Sequence, residues 1–152
     1  MKALLVKDIK KFMNILLLGD DFDDFYVSEV VVKKEYSMHI DGRKSVSDGK
    51  ETPRVSYKDL KPLVYEHLKG KELPELFRLV LCRDKAQMEG VSSEFAGSAV
   101  SDYILRAEYT KDGLIIVTGV SYESFTMDKD GEKAWDEYVR RFITNLGADF
   151  DE

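Results

Sequence analysis

One cysteine, two histidines, three prolines and no apolar run longer than four residues set the first limits on this 152-residue chain. A lone thiol, Cys82, forms no internal disulfide, which fits a reducing compartment. With so few imidazoles and thiols, a zinc site would lean on carboxylates, and no spacing suggests one. The longest apolar stretches, such as Ile15 to Leu18, fall far short of the roughly 20 residues that cross a bilayer. The opening MKALLVKDIKKF has a short apolar run followed by charge, unlike a signal peptide. Three prolines and ten glycines leave no low-complexity linker. The expectation is a cytoplasmic protein with no membrane contact.

What is present describes a globular chain. Hydrophobic residues at 43% against 34% charged are enough to build a core without staples. The net charge of -6 is uneven, with local balances of -2 over residues 1–32, +4 over 33–85 and -8 over 86–152. The bases of the middle third are interleaved with acids, so no lysine and arginine stripe marks nucleic-acid binding, and a phosphate backbone meets mostly repulsion.

Periodicity supplies the elements. Lys2 to Val6 suits a first strand. Asp8 is placed to cap a helix whose residues Ile9, Phe12, Met13, Leu16 and Leu17 share one face, with Gly19 as the stop. Residues 25–34 are β-branched and aromatic, and Tyr36, Met38 and Ile40 alternate with polar neighbours, so two strands are expected. Asp41-Gly42 is a two-residue hairpin signal, with a return strand from Arg43 to Ser47 and a polar loop over 48–55. A second helix is expected from Asp59 to Lys69, with Leu60, Leu63, Val64, His67 and Leu68 inward. The start at Asp59 keeps Pro62 in the first turn. Phe77, Leu79 and Leu81 alternate in a further strand, and the ambiguous stretch 84–98 reads as a short helix and a loop. Tyr103, Leu105, Ala107 and Tyr109 share a strand face. Lys111-Asp112-Gly113 turns the chain into 114–125, where apolar residues on both faces suggest a strand covered on two sides. Trp135, Tyr138, Val139, Phe142 and Leu146 stripe a last helix beginning near Asp130. The sum is an α+β fold: a largely antiparallel sheet with about three amphipathic helices packed on it. Residues 1–147 are expected as a single domain and 148–152 as an acidic, frayed tail.

Several segments are familiar in order: Lys2-Ala3-Leu4 with Asp8-Ile9 and Phe12-Met13, Phe22-Asp23 with Phe25, Ile40-Asp41-Gly42, and Lys69-Gly70-Lys71 with Pro74 and Phe77. The last is Phe125-Thr-Met-Asp128-Lys129 with Glu132 and Trp135-Asp136. On these the chain resembles an uncharacterised family of small proteins of unknown function from Clostridia-like Firmicutes. The resemblance covers most of the chain outside 43–56 and 84–100, and it implies no activity, cofactor or catalytic residue.

Chemistry has few footholds. Thr126 to Glu137 reads T-x-D-x-D-G-x5-E, one position short of an EF-hand loop. Thr126 in place of the first carboxylate, Lys133 at an apolar position and a preceding strand favour a plain helix N-terminus. Asp20, Asp21, Asp23 and Asp24 have oxygen ligands for a hard cation, but a solvated loop with Phe22 and Phe25 turned inward suits them better. Glu29 shares its strand face with Phe25, Val27 and Val31; on an apolar face its pKa would rise or it would need a partner. His39 lies beside Asp41 on one strand face, without a G-x-S-x-G elbow or a serine marked as nucleophile. Glu29, His39 and Asp41 are therefore the catalytic candidates. His67 reads as a hydrogen-bonded core histidine and Cys82 as an inert buried thiol. Lys69-Gly70-Lys71 lacks the glycines of a P-loop. The aromatics from Tyr103 to Phe142 suit a core as well as a ligand pocket. No cofactor or metal is expected. The reading is a binding or protein-interaction domain with an unidentified protein partner or small ligand. The alternatives are an enzyme acting on a small molecule or a small-ligand sensor.

Overall fold

The computed structural model describes residues 1–42, 46–47, 50–51 and 54–152, with 46–47 and 50–51 described by their backbone alone. In chain order the elements are β1 (Ala3–Val6), α1 (Ile9–Leu18), β2 (Tyr26–Lys33), β3 (Ser37–Asp41), β4 (Val46–Ser47), β5 (Lys50–Glu51), α2 (Tyr57–Leu68), β6 (Leu76–Asp84), α3 (Lys85–Val91), β7 (Val100–Thr110), β8 (Gly113–Tyr122), α4 (Asp130–Asn145) and β9 (Phe150–Asp151). Seven strands form one antiparallel sheet in the order β3-β2-β6-β7-β8-β1-β9, and β4 pairs with β5 apart from it. The class is therefore α+β with an antiparallel sheet. The described residues carry four α-helices rather than the expected three. The addition is α3, where Asp84 and Gln87 close a capping box across a segment too short to show an apolar stripe.

Alternation decides which face each strand buries. Val30 and Val32, Phe77 and Leu79, Leu105 and Ala107, Leu114 and Ile116, and Leu4 and Val6 are buried on one face. There they share a core with Phe12 and Leu16 of α1, Tyr57 and Val64 of α2, Met88 of α3, and Trp135, Val139 and Ile143 of α4. Val31, Val80, Ile104, Ile115 and Val117 point the other way, half-buried, and none of them packs on that core. The molecule is thus two layers, with helices on one side of the sheet. The expectation that residues 115–117 are covered on both sides is corrected: Ile116 is buried, while Ile115 and Val117 lie on the face without helices.

Further expectations change. A bulge between Val27 and Glu29 reverses the side-chain parity of β2, so Val27 points inward and Glu29 outward. Helix α2 begins at Tyr57, so Pro62 lies in its second turn. Tertiary anchoring overrides the proline: the Tyr57 N–H donates to the Phe25 carbonyl, its ring is buried, and its hydroxyl donates to the Leu16 carbonyl at 2.9 Å. Leu63, expected inward, is exposed. Gly42 lacks the positive φ of a hairpin turn. Instead its N–H donates to the Ser28 carbonyl, extending the β2–β3 pairing, in a place where a Cβ would press on the Val27 carbonyl. The return strand Arg43 to Ser47 and the loop 48–55 fall partly outside the described residues. The described Val46–Ser47 pairs with Lys50–Glu51 rather than with β3. Residues 148–152 are not frayed: Ala148 is buried, the Asp149 carbonyl accepts from the Lys7 N–H, and β9 pairs with β1. The Gly113 turn is as expected, with φ +129°.

Candidate functional site

The apolar stripe of α1 is wider than the core needs. Phe12 and Leu16 are buried, whereas Ile9, Met13 and Leu17, four residues apart, form a half-buried ridge along the flank. Across from that ridge stand Leu68 at the end of α2 and Leu73-Pro74 of the connection to β6. Phe77 and Tyr109, directly opposite one another on β6 and β7, complete the wall. Between them is a groove of about 450 Å³ with almost entirely apolar walls. Leu73 is 77% exposed at its lip, an unusual place for a leucine. Polar groups are few: Lys10 and Asn14, one helical turn apart on the α1 rim, and the Tyr109 hydroxyl. None of these three side chains has a hydrogen-bond or ion-pair partner among the described residues. A second hollow of about 460 Å³ adjoins the groove, sharing Leu73, Pro74 and Tyr109 and continuing to Lys111 and Asp112. An apolar cleft of this size with a few convergent polar groups is the usual form of a small-molecule site.

A smaller and more polar hollow, about 290 Å³, includes Ser28, Arg54, Cys82, Asp102 and Ser121. Arg54 Nη1 lies 2.7 Å from Asp102 Oδ1, a close ion pair without the alignment of a hydrogen bond, and also donates to Cys82 Sγ at 3.3 Å. Burial pushes the Cys82 thiol up to about 11, against the weaker opposing pull of Arg54. The thiol is therefore protonated at neutral pH, the wrong form for nucleophilic or metal chemistry.

The three sequence candidates come together on the uncovered face of β2 and β3. Glu29 sits directly opposite Asp41, and His39 opposite Val31 one rung away. They lie on an open surface rather than in an apolar pocket. Glu29 is about a third exposed, with Oε1 3.4 Å from Arg78 Nη1, and His39 is exposed. Arg78 also donates from Nε to Glu108 at 2.6 Å. His67 is half-buried, with Nδ1 2.7 Å from the Tyr36 hydroxyl, between α2 and the start of β3. In the acidic loop Phe22 and Phe25 turn inward as expected. Asp23 and Asp24 are not merely solvated: Lys61 Nζ meets Asp23 at 2.5 Å and Arg83 Nη2 meets Asp24 at 3.0 Å. Thr126 to Glu137 is a loop and helix start, where Asp128 accepts from the Asp130 N–H. Among the described residues no group of three or more His, Cys, Asp and Glu is placed to hold a metal ion.

Sequence reasoning missed Arg83. It has the inward parity of Phe77, Leu79 and Leu81 and is buried, with its guanidinium 4.2 Å from the centre of the Phe25 ring and Nη1 donating to the Tyr138 hydroxyl at 2.9 Å. Its place in that alternation was the available signal. It also missed the groove, because a half-buried methionine and leucine read as ordinary core.

The class that these features define is a two-layer α+β fold with an antiparallel sheet and an apolar groove beside α1. The chain belongs to a family of unknown function, DUF5721, whose model matches residues 15–151. No curated protein and no solved structure matches it.

Proposed function

We propose that the protein is a non-catalytic binding domain that holds a small amphipathic molecule in the groove beside α1. The observation that carries this reading is the groove itself: apolar walls from Ile9, Met13, Leu17, Leu68 and Phe77, an exposed Leu73 at the lip, and an uncommitted ammonium at Lys10. Burial of an alkyl or aryl body against those walls contributes about 25 cal/mol per Å². Lys10 and Asn14 then favour an acidic head group on the ligand. The absence of a signal for disulfides supports a cytoplasmic setting.

Thermal unfolding in the presence of aliphatic and aromatic carboxylates tests it. A ligand at about a hundred times its Kd stabilises the folded state by about 2.7 kcal/mol. That shift is expected in the wild type, reduced in Lys10→Ala and absent in Met13→Glu. No shift with any such acid, or an undiminished shift in Met13→Glu, would exclude the groove.

A second reading, an enzyme acting on a small molecule, is supported by the common face of Glu29, His39 and Asp41. Their exposure and the engagement of Glu29 with Arg78 make it the weaker of the two. Alanine at each position, with screened activity unchanged, would remove it.

A further inference from the structure

The face of the sheet without helices is too apolar for an ordinary solvent surface. Two rungs cross its middle. One runs Val31, Arg78, Glu108, Ile115, Leu5, and the next runs Glu29, Val80, Arg106, Val117, Ala3. Leu5 is 47% exposed, and Val31, Val80, Ile115 and Val117 are half-buried without packing on the core. The charges among them are balanced. Arg78 is held by Glu29 and Glu108, and Arg106 is exposed with no ion-pair partner among the described residues.

We infer that this face is where a second copy of the chain packs, sheet against sheet, about a two-fold axis lying along β6. Two arguments select a copy of the same chain. The first is area. An axis along β6 lays β3, β2, β6, β7 and β8 of one copy over β8, β7, β6, β2 and β3 of the other. Five strands spaced about 4.8 Å apart span roughly 19 Å, and a working length of about 25 Å along the strands gives about 480 Å² on each copy. Two such faces bury about 1,000 Å², the lower limit of specific interfaces and the size of a weak, concentration-dependent dimer. The second is charge complementarity. Glu29 and Arg106 are the two neighbours of Val80 on one rung, on opposite sides of it. An axis through Val80 exchanges those two positions, so each Arg106 meets Glu29 of the second copy, and the pairing occurs twice by symmetry. The same axis brings the two Arg78 side chains near each other, each already flanked by carboxylates of its own chain. Facing sheets pack at a small angle about 10 Å apart, a gap that valine and isoleucine side chains from both copies fill.

Sedimentation velocity of the full chain over 1 to 100 µM tests the inference. The wild type is expected at twice its 17.4 kDa chain mass at the upper concentrations. Val80→Lys, which sets two ammonium groups against each other across the axis, and Arg106→Glu should each raise the dissociation constant at least tenfold. The double change Arg106→Glu with Glu29→Lys should recover most of the loss, a result that mere damage to the fold does not produce. Circular dichroism of each variant confirms that it is folded. A wild type that stays monomeric at 100 µM overturns the inference, whatever the variants do. So does a dimer that survives Val80→Lys. A dimer lost in Met13→Glu and kept in Val80→Lys would place the contact at the groove instead.

Discussion

At the scale of single residues, environment rather than identity sets what each group does. Cys82 and Arg83 are adjacent on β6 and both buried, yet they face opposite sides of the sheet. Cys82 is shielded beneath Arg54 on the side without helices, and its thiol is held at about 11 against an ordinary value of 9.0. The folded state therefore keeps this proton at pH values where the unfolded chain releases it. The linked stability is fully present below about pH 9 and is lost as pH rises towards 11, a change of order 2 to 3 kcal/mol. Labelling with a disulfide reagent at pH 7.5 should run at least a hundredfold slower in the native protein than in denaturant. Equal rates would mean that the thiol is accessible.

Elements are tied together by a few polar contacts that finish what apolar burial begins. The last carbonyls of a helix have no partner within the helix, and the Leu16 carbonyl near the end of α1 is satisfied by the Tyr57 hydroxyl from the first turn of α2. Burial pushes that phenol well above the usual tyrosine range. It therefore stays protonated, and so a donor, further into the alkaline range than an exposed tyrosine. Tyr57→Phe keeps the ring and orphans the carbonyl. The expected cost is about 1 to 2 kcal/mol by chemical unfolding, with little change in the denaturant slope. A neutral result would mean that water replaces the hydroxyl.

At the scale of the whole molecule, the two proposed sites lie on opposite sides of the sheet. The groove is walled by core-side residues such as Phe77 and Tyr109, and the pairing face by their outward neighbours such as Arg78 and Glu108. They share no side chain, and effects at sites that share none usually add. The ligand-induced rise in unfolding temperature should therefore be the same in Val80→Lys as in the wild type. A rise that shrinks by more than a third would show coupling through the sheet.

Local pattern alone carried the helix from Ile9, the strands around Val31, Leu79, Leu105 and Ile116, and the last helix through Trp135. In each, the period of the apolar residues matches the period of the element. It carried the α+β class for the same reason. Where a second segment sets the outcome, pattern failed. The bulge that turns Glu29 outward depends on the register with Leu81 and Val80 of β6, and the start of α2 depends on Phe25 and Leu16. The groove arises because Leu73 and Pro74 stand off from α1. Such features are distances between parts of the chain far apart in sequence, and only the packed structure fixes them.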